Sequence, residues 1–266
     1  MNRRQFISLS GAAGLAAITS PTSAAESGSG RDYYEVRKYL VENDGQKQRV
    51  DAFLREAAIP AVNRLGIRPV GVFYPHPQAP TNQTGVIWAI LRHPSAESVA
   101  TLTERLAEDS EFLSAGADYI DATADSPAYK RIESFLLIAF KTVPRLETPV
   151  NTDNSDRVFQ LRTYESPSEK TNLKKIEMFE KAGEIRIFRE VGLNPVFYGR
   201  AVVGAKLPNL TYMLGFKNME EEQAAWKRFG AHPDWKRLSR MPEYMDKNIL
   251  CGITNRPLAP AEYSQI

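Results

Sequence analysis

The sequence predicts an α+β protein made of two tandem ferredoxin-like βαββαβ repeats whose sheets pair into a closed barrel-type core. Three observations predict it: sequence blocks recur at a nearly constant spacing, strand and helix signals follow the same order in each copy, and the inner strands are apolar on both faces. Tyr34-Glu35-Val36-Arg37-Lys38-Tyr39 recurs as Phe159-Gln160-Leu161-Arg162-Thr163-Tyr164, and Leu65-Gly66-Ile67-Arg68-Pro69-Val70 as Val191-Gly192-Leu193-Asn194-Pro195-Val196. Val86 to Leu91 pairs with Leu210 to Gly215, and Leu106 to Phe112 with Phe229 to Trp235.

The chain opens with Asn2-Arg3-Arg4-Gln5-Phe6, then the mildly apolar Gly11 to Ile18, then Ser20-Pro21-Thr22-Ser23-Ala24-Ala25. Twin arginines, a Gly/Ala-rich stretch and small residues come in the order of a twin-arginine export signal. Residues 1–25 are therefore expected to be a signal cleaved after Ala24 or Ala25, with the protein periplasmic or otherwise extracytoplasmic. No later apolar run is long enough for a transmembrane helix, which needs about 20 residues. Losing Arg3 and Arg4 from 34 basic residues leaves 32 against 32 acidic ones. A neutral chain without a long run of like charge does not suit nucleic acid. Cys251 is the only cysteine, so no intrachain disulfide can form and the core must carry the stability.

The first repeat is expected over 33–141, a linker over 142–156 and the second repeat over 157–257. Each repeat begins with an alternating strand, Tyr33–Val41 or Arg157–Glu165. A long helix follows, its apolar face carrying Val50, Phe53, Leu54, Ala57, Ala61 and Leu65 in one copy. Leu173, Ile176, Phe179, Ala182, Ile187 and Val191 form that face in the other. Gly66 and Gly192 stand where a helix end needs a left-handed residue, and Pro69 and Pro195 forbid continuation. Two strands come next, then a second helix, then a last strand at Ile132–Phe140 or Asn248–Thr254. That order is the split βαβ arrangement, with both helices on one sheet face and the other face open. Sheet against sheet, each repeat covers the other.

On the first strand, Tyr34, Val36 and Leu40 with Phe159 and Leu161 are expected against the helices. Glu35, Arg37 and Tyr39, with Gln160, Arg162 and Tyr164, then point between the sheets. A buried arginine needs a carboxylate or an anionic ligand. Two readings of this row stay open: a structural network of ion pairs and tyrosine hydroxyls, or a ligand site. Copy two carries Gln160 where copy one has Glu35, so an anion is expected nearer Arg162 than Arg37.

The first-strand blocks, with Trp226 and Phe229-Gly230-Ala231-His232-Pro233-Asp234-Trp235, resemble the NIPSNAP family in its two-repeat form. The resemblance implies a dimeric α/β-barrel fold, here with two repeats paired in one chain and homo-oligomers open to it. It places the chain near small barrels that include cofactor-independent monooxygenases and haem-degrading enzymes. His232 and Trp235 become candidate ligand contacts in copy two, where copy one has Asp109 and Phe112.

Other chemistry finds little footing. His76, His93 and His232 are too scattered for a metal site, and none is expected. His232 before Pro233 also reads as a helix start. No phosphate loop, dinucleotide fingerprint or nucleophile elbow occurs, so no cofactor is expected. Two functions remain: a module that binds a small-molecule ligand or a partner, or an oxygenase-like or haem-handling enzyme using the barrel cavity.

Overall fold

The computed structural model describes residues 30–77, 85–151 and 153–266; the expected export signal, residues 1–25, lies outside them. In the first half, β1 (Tyr33–Leu40) leads to α1 (Asp44–Phe53), a π turn at Leu54–Ala58 and α2 (Ile59–Arg64). The Asn43 side chain caps α1 by accepting from the Gln46 N–H, and Gly66 ends the helix at a φ of +78°. Then come β2 (Val70–Pro75), β3 (Val86–His93), the short helices α3 (Ala96–Ala100), α4 (Leu102–Ala107), α5 (Ser110–Ala115) and α6 (Ala117–Ile120), and β4 (Arg131–Ala139).

The second half repeats the order. It has β5 (Val158–Glu165), α7 (Glu169–Glu180), α8 (Glu184–Val191), β6 (Asn194–Val203), β7 (Asn209–Phe216), α9 (Met219–Ala231), α10 (Pro233–Leu238), α11 (Asp246–Ile249) and β8 (Gly252–Pro260). Ser168 and Thr171 form a reciprocal capping box at the start of α7. The expected single helix over Leu173–Val191 is instead two, because Gly183 turns the chain at a φ of +103°.

The eight strands close into one antiparallel barrel in the order β1-β3-β2-β8-β5-β7-β6-β4. Each half contributes four consecutive strands, and the halves join at the seams β2–β8 and β4–β6. A closed ladder leaves no free strand edge. Residues past β8 return to the first half: Gln265 N–H donates to the Val70 carbonyl, and Ile266 packs into the barrel interior. The last strand thus begins and ends later than Asn248–Thr254, since 246–249 fold as helix.

Three apolar cores result. One fills the barrel with Tyr34, Val36, Phe73, Trp88, Ile90, Leu137, Phe159, Leu161, Phe197, Met213 and Leu258. The other two lie between the barrel wall and the helices of each half. Full burial of each such side chain contributes about 1.5–3 kcal/mol.

The strand faces are opposite to the expectation. Tyr34, Val36, Phe159 and Leu161 face the barrel interior, whereas Glu35, Arg37, Tyr39, Gln160, Arg162 and Tyr164 lie on the outer face under the helices. Eight converging strands leave an interior that accepts apolar side chains and offers few polar partners. Outside the barrel such partners exist: Arg37, His93 and Ser134 on the strands for Glu35, and Glu222 and Trp226 of α9 for Gln160. The third strands also shift by one residue: Lys38 pairs with Trp88, and its counterpart Thr163 pairs with Thr211, not Tyr212. Trp88 therefore points inward and Tyr212 outward, because a one-residue slip exchanges faces.

Candidate functional site

The sequence-predicted candidates fall into separate places. In the first half, Arg37 clasps Glu35 with two hydrogen bonds, Nε to Oε1 at 2.6 Å and Nη2 to Oε2 at 3.0 Å. Ser134 donates to Glu35 Oε1 at 3.0 Å, and His93 Nε2 stands 3.4 Å from Oε2. Burial pushes the Glu35 carboxyl up, but His93, Arg37 and Ser134 together hold it down at about 2. Tyr39 packs edge-on against Tyr129. The Glu35 carboxylate is thus partnered within the cluster.

In the second half, the Arg162 guanidinium stacks 4.5 Å over Trp226 and lies 3.4 Å from the Tyr164 hydroxyl. Tyr164 in turn bonds the Tyr212 hydroxyl at 2.9 Å. Gln160 donates to Glu222 and accepts from Trp226 Nε1 at 2.9 Å. Lys175 is buried beside Glu184 at 3.2 Å, over the rings of Tyr164, Phe179 and Trp235. Trp235 is thus part of the outer core, stacked on Phe229. His232 caps α10, accepting from the Asp234 N–H, with Nε2 3.3 Å from Glu190. None of these residues lines the barrel interior.

The best-formed cavity is at one mouth of the barrel, and its polar residues escaped the sequence reading. It measures about 210 Å³. Val36, Trp88, Phe135, Leu137 and Leu161 form its apolar floor; Lys38, Glu133, Thr163, Glu165, Lys206, Asn209, Thr211 and Arg256 form its polar wall. Both halves contribute, because strands from each converge on the same opening. Lys38 pairs with Glu133 at 3.0 Å and Lys206 with Glu165 at 2.9 Å. Thr163 and Thr211 share a hydrogen bond of 3.0 Å.

Arg256 stands apart. Its guanidinium lies 5.3 Å over the Trp88 ring, and Nη1 reaches Thr163 Oγ1 only at 3.5 Å. Among the described residues no carboxylate lies within ion-pairing distance of it. Burial accordingly lowers its pKa, while the charge of Glu165 raises it. Trp88 Nε1 is buried without an acceptor. A donor without an acceptor and a cation held only by a long hydrogen bond therefore share one half-apolar cavity. Arg256 lay beyond the expected end of the last strand; extending the alternation of that strand would have placed it on the face of Leu258. No group of three or more histidine, cysteine, aspartate or glutamate side chains suited to a metal occurs among the described residues.

Fold and cavity define an eight-stranded α+β barrel with a ligand-sized mouth. In its second half, residues 159–265 match the model of the NIPSNAP family. Among solved structures, it is similar to a provisionally assigned monooxygenase from Lactobacillus acidophilus, at 8% identity and a TM-score of 0.56 over 86% of this chain and 94% of that one. A provisionally assigned monooxygenase from Fusobacterium nucleatum aligns at 8% identity and a TM-score of 0.53, covering 86% and 92%. An uncharacterised NIPSNAP-like domain protein from Burkholderia xenovorans aligns at 20% identity and a TM-score of 0.38, covering 42% of this chain and 91% of that one. No curated protein matches the sequence. The first two likenesses establish the barrel fold alone.

Proposed function

We infer that this is an exported NIPSNAP-family barrel that binds a small organic molecule in its barrel mouth. One observation carries the reading: a half-apolar cavity holds a guanidinium that has no ion-pair partner among the described residues. A half-buried cation without an ion pair is costly, and ligand pockets place a few such polar groups in apolar surroundings. We read the two halves as tandem ferredoxin-like units, each supplying one wall of the site. Export rests on Arg3-Arg4 and the weak apolar stretch behind them.

The binding reading is tested by fragment screening with ligand-observed NMR on the purified protein and on Leu161→Trp, which fills the floor. Fragments should bind the native protein and be displaced from the variant. Fragments that bind both equally would place any site elsewhere and defeat the reading. Export is tested by replacing Arg3 and Arg4 with lysine and fractionating cells; unchanged export of the variant would refute it. Monooxygenase activity is supported only by the names of proteins sharing the fold, and fold kinship does not transmit chemistry.

A further inference from the structure

Resting on the binding reading, we propose that the ligand is a monocarboxylate with a compact apolar body, its acid group held by Arg256. Charge sets the valence. The cavity wall holds three cations, Lys38, Lys206 and Arg256, and two anions, Glu133 and Glu165. Both carboxylates are already paired to lysines at 3.0 and 2.9 Å. One positive charge is left over, on Arg256, so a single negative charge balances the site and a second would overshoot.

Chemistry selects the group. A guanidinium offers parallel N–H donors that fit the two oxygens of a carboxylate, and charge-assisted bonds of this kind are roughly twice as strong as neutral ones. Thr163, already within reach of Arg256, adds a hydroxyl beside the same oxygens. The Trp88 ring lies under the guanidinium, a contact that does not consume its N–H donors.

Size and polarity set the rest. A cavity of 150 Å³ accommodates benzene, so one of about 210 Å³ takes roughly nine non-hydrogen atoms, the size of benzoate. The apolar floor matches the ring or short chain of such an acid. It offers nothing to the hydroxyls of a sugar.

The probes are benzoate, neutral benzamide and dianionic phenylphosphonate, titrated by calorimetry against the purified protein and against Arg256→Met. Benzoate should bind about tenfold or more tightly than benzamide, and more tightly than phenylphosphonate. Arg256→Met should erase the preference for the acid while melting at the same temperature or higher, which shows that the variant is folded. Equal binding of benzamide and benzoate would overturn the carboxylate assignment while leaving the cavity a binding site. Tighter binding of phenylphosphonate would overturn the single charge, and no binding of benzoate would overturn the proposal outright. Fragments that bind the native protein and Leu161→Trp equally in the NMR screen, by contrast, would defeat the underlying reading.

Discussion

Glu35 and Arg256 carry opposite lessons about a charge placed inside a protein. Glu35 has every partner it needs, and its carboxyl is held at about 2 against an ordinary 4.5. A depressed acid contributes stability that is complete above its unfolded value and lost as the pH falls through its folded value. At 1.36 kcal/mol per unit, the contribution is about 3 kcal/mol, disappearing between roughly pH 4.5 and pH 2. Urea unfolding at pH 5 and at pH 2 should show that loss in the native protein, and Glu35→Gln should flatten it. Arg37→Met strands the same carboxylate and should cost about 2–4 kcal/mol at neutral pH. Arg162→Met removes a cation that has no ion pair, only ring and hydroxyl contacts, and should cost about 1 kcal/mol or less by the same melt. Equal losses for the two arginine variants would show that the stacking of Arg162 matters as much as the ion pair of Arg37.

Two glycines show how an element tolerates or demands flexibility. Gly183 divides α7 from α8 at a φ of +103°, and a Cβ there would meet nothing closer than 3.7 Å. Space is ample, so the whole cost of Gly183→Ala is backbone strain, about 1–2 kcal/mol. Gly230 lies in α9 at an exposed position with open space around it. Gly230→Ala removes only helix entropy and should stabilise by about 0.5–1 kcal/mol. Chemical denaturation of both variants should give shifts of opposite sign. Element order, helix stops at Gly66 and Gly192 and most strand bounds were legible because they depend on local patterns. The break at Gly183 was not legible, because a single glycine within an apolar period does not announce a positive φ.

At the scale of the molecule, the halves depend on each other through the seams β2–β8 and β4–β6 and through Gln265 and Ile266. Residues 33–143 and 155–266 expressed separately should therefore be insoluble or self-associated, and should recover a cooperative melt when refolded together. Two soluble, cooperatively folding monomers would contradict the shared core. That the two halves close over one another was legible, since both faces of the inner strands are apolar. Which face turned inward was not. The row led by Glu35 finds its partners in distant residues such as Ser134, His93 and Trp226, whose positions depend on the finished fold.

The register of the closed ladder has one more consequence. Val36 pairs with Phe135, and its counterpart Leu161 pairs with Arg256. Phe135 and Arg256 thus hold corresponding register positions in the two halves and line one opening. A barrel assembled from two identical subunits would have to set phenylalanine against phenylalanine or arginine against arginine, the first greasy throughout and the second self-repelling. Joining two unlike halves in one polypeptide releases that constraint. Each half can mutate alone, so the mouth acquires a polar pole and an apolar pole, and a bound molecule has a head end and a tail end.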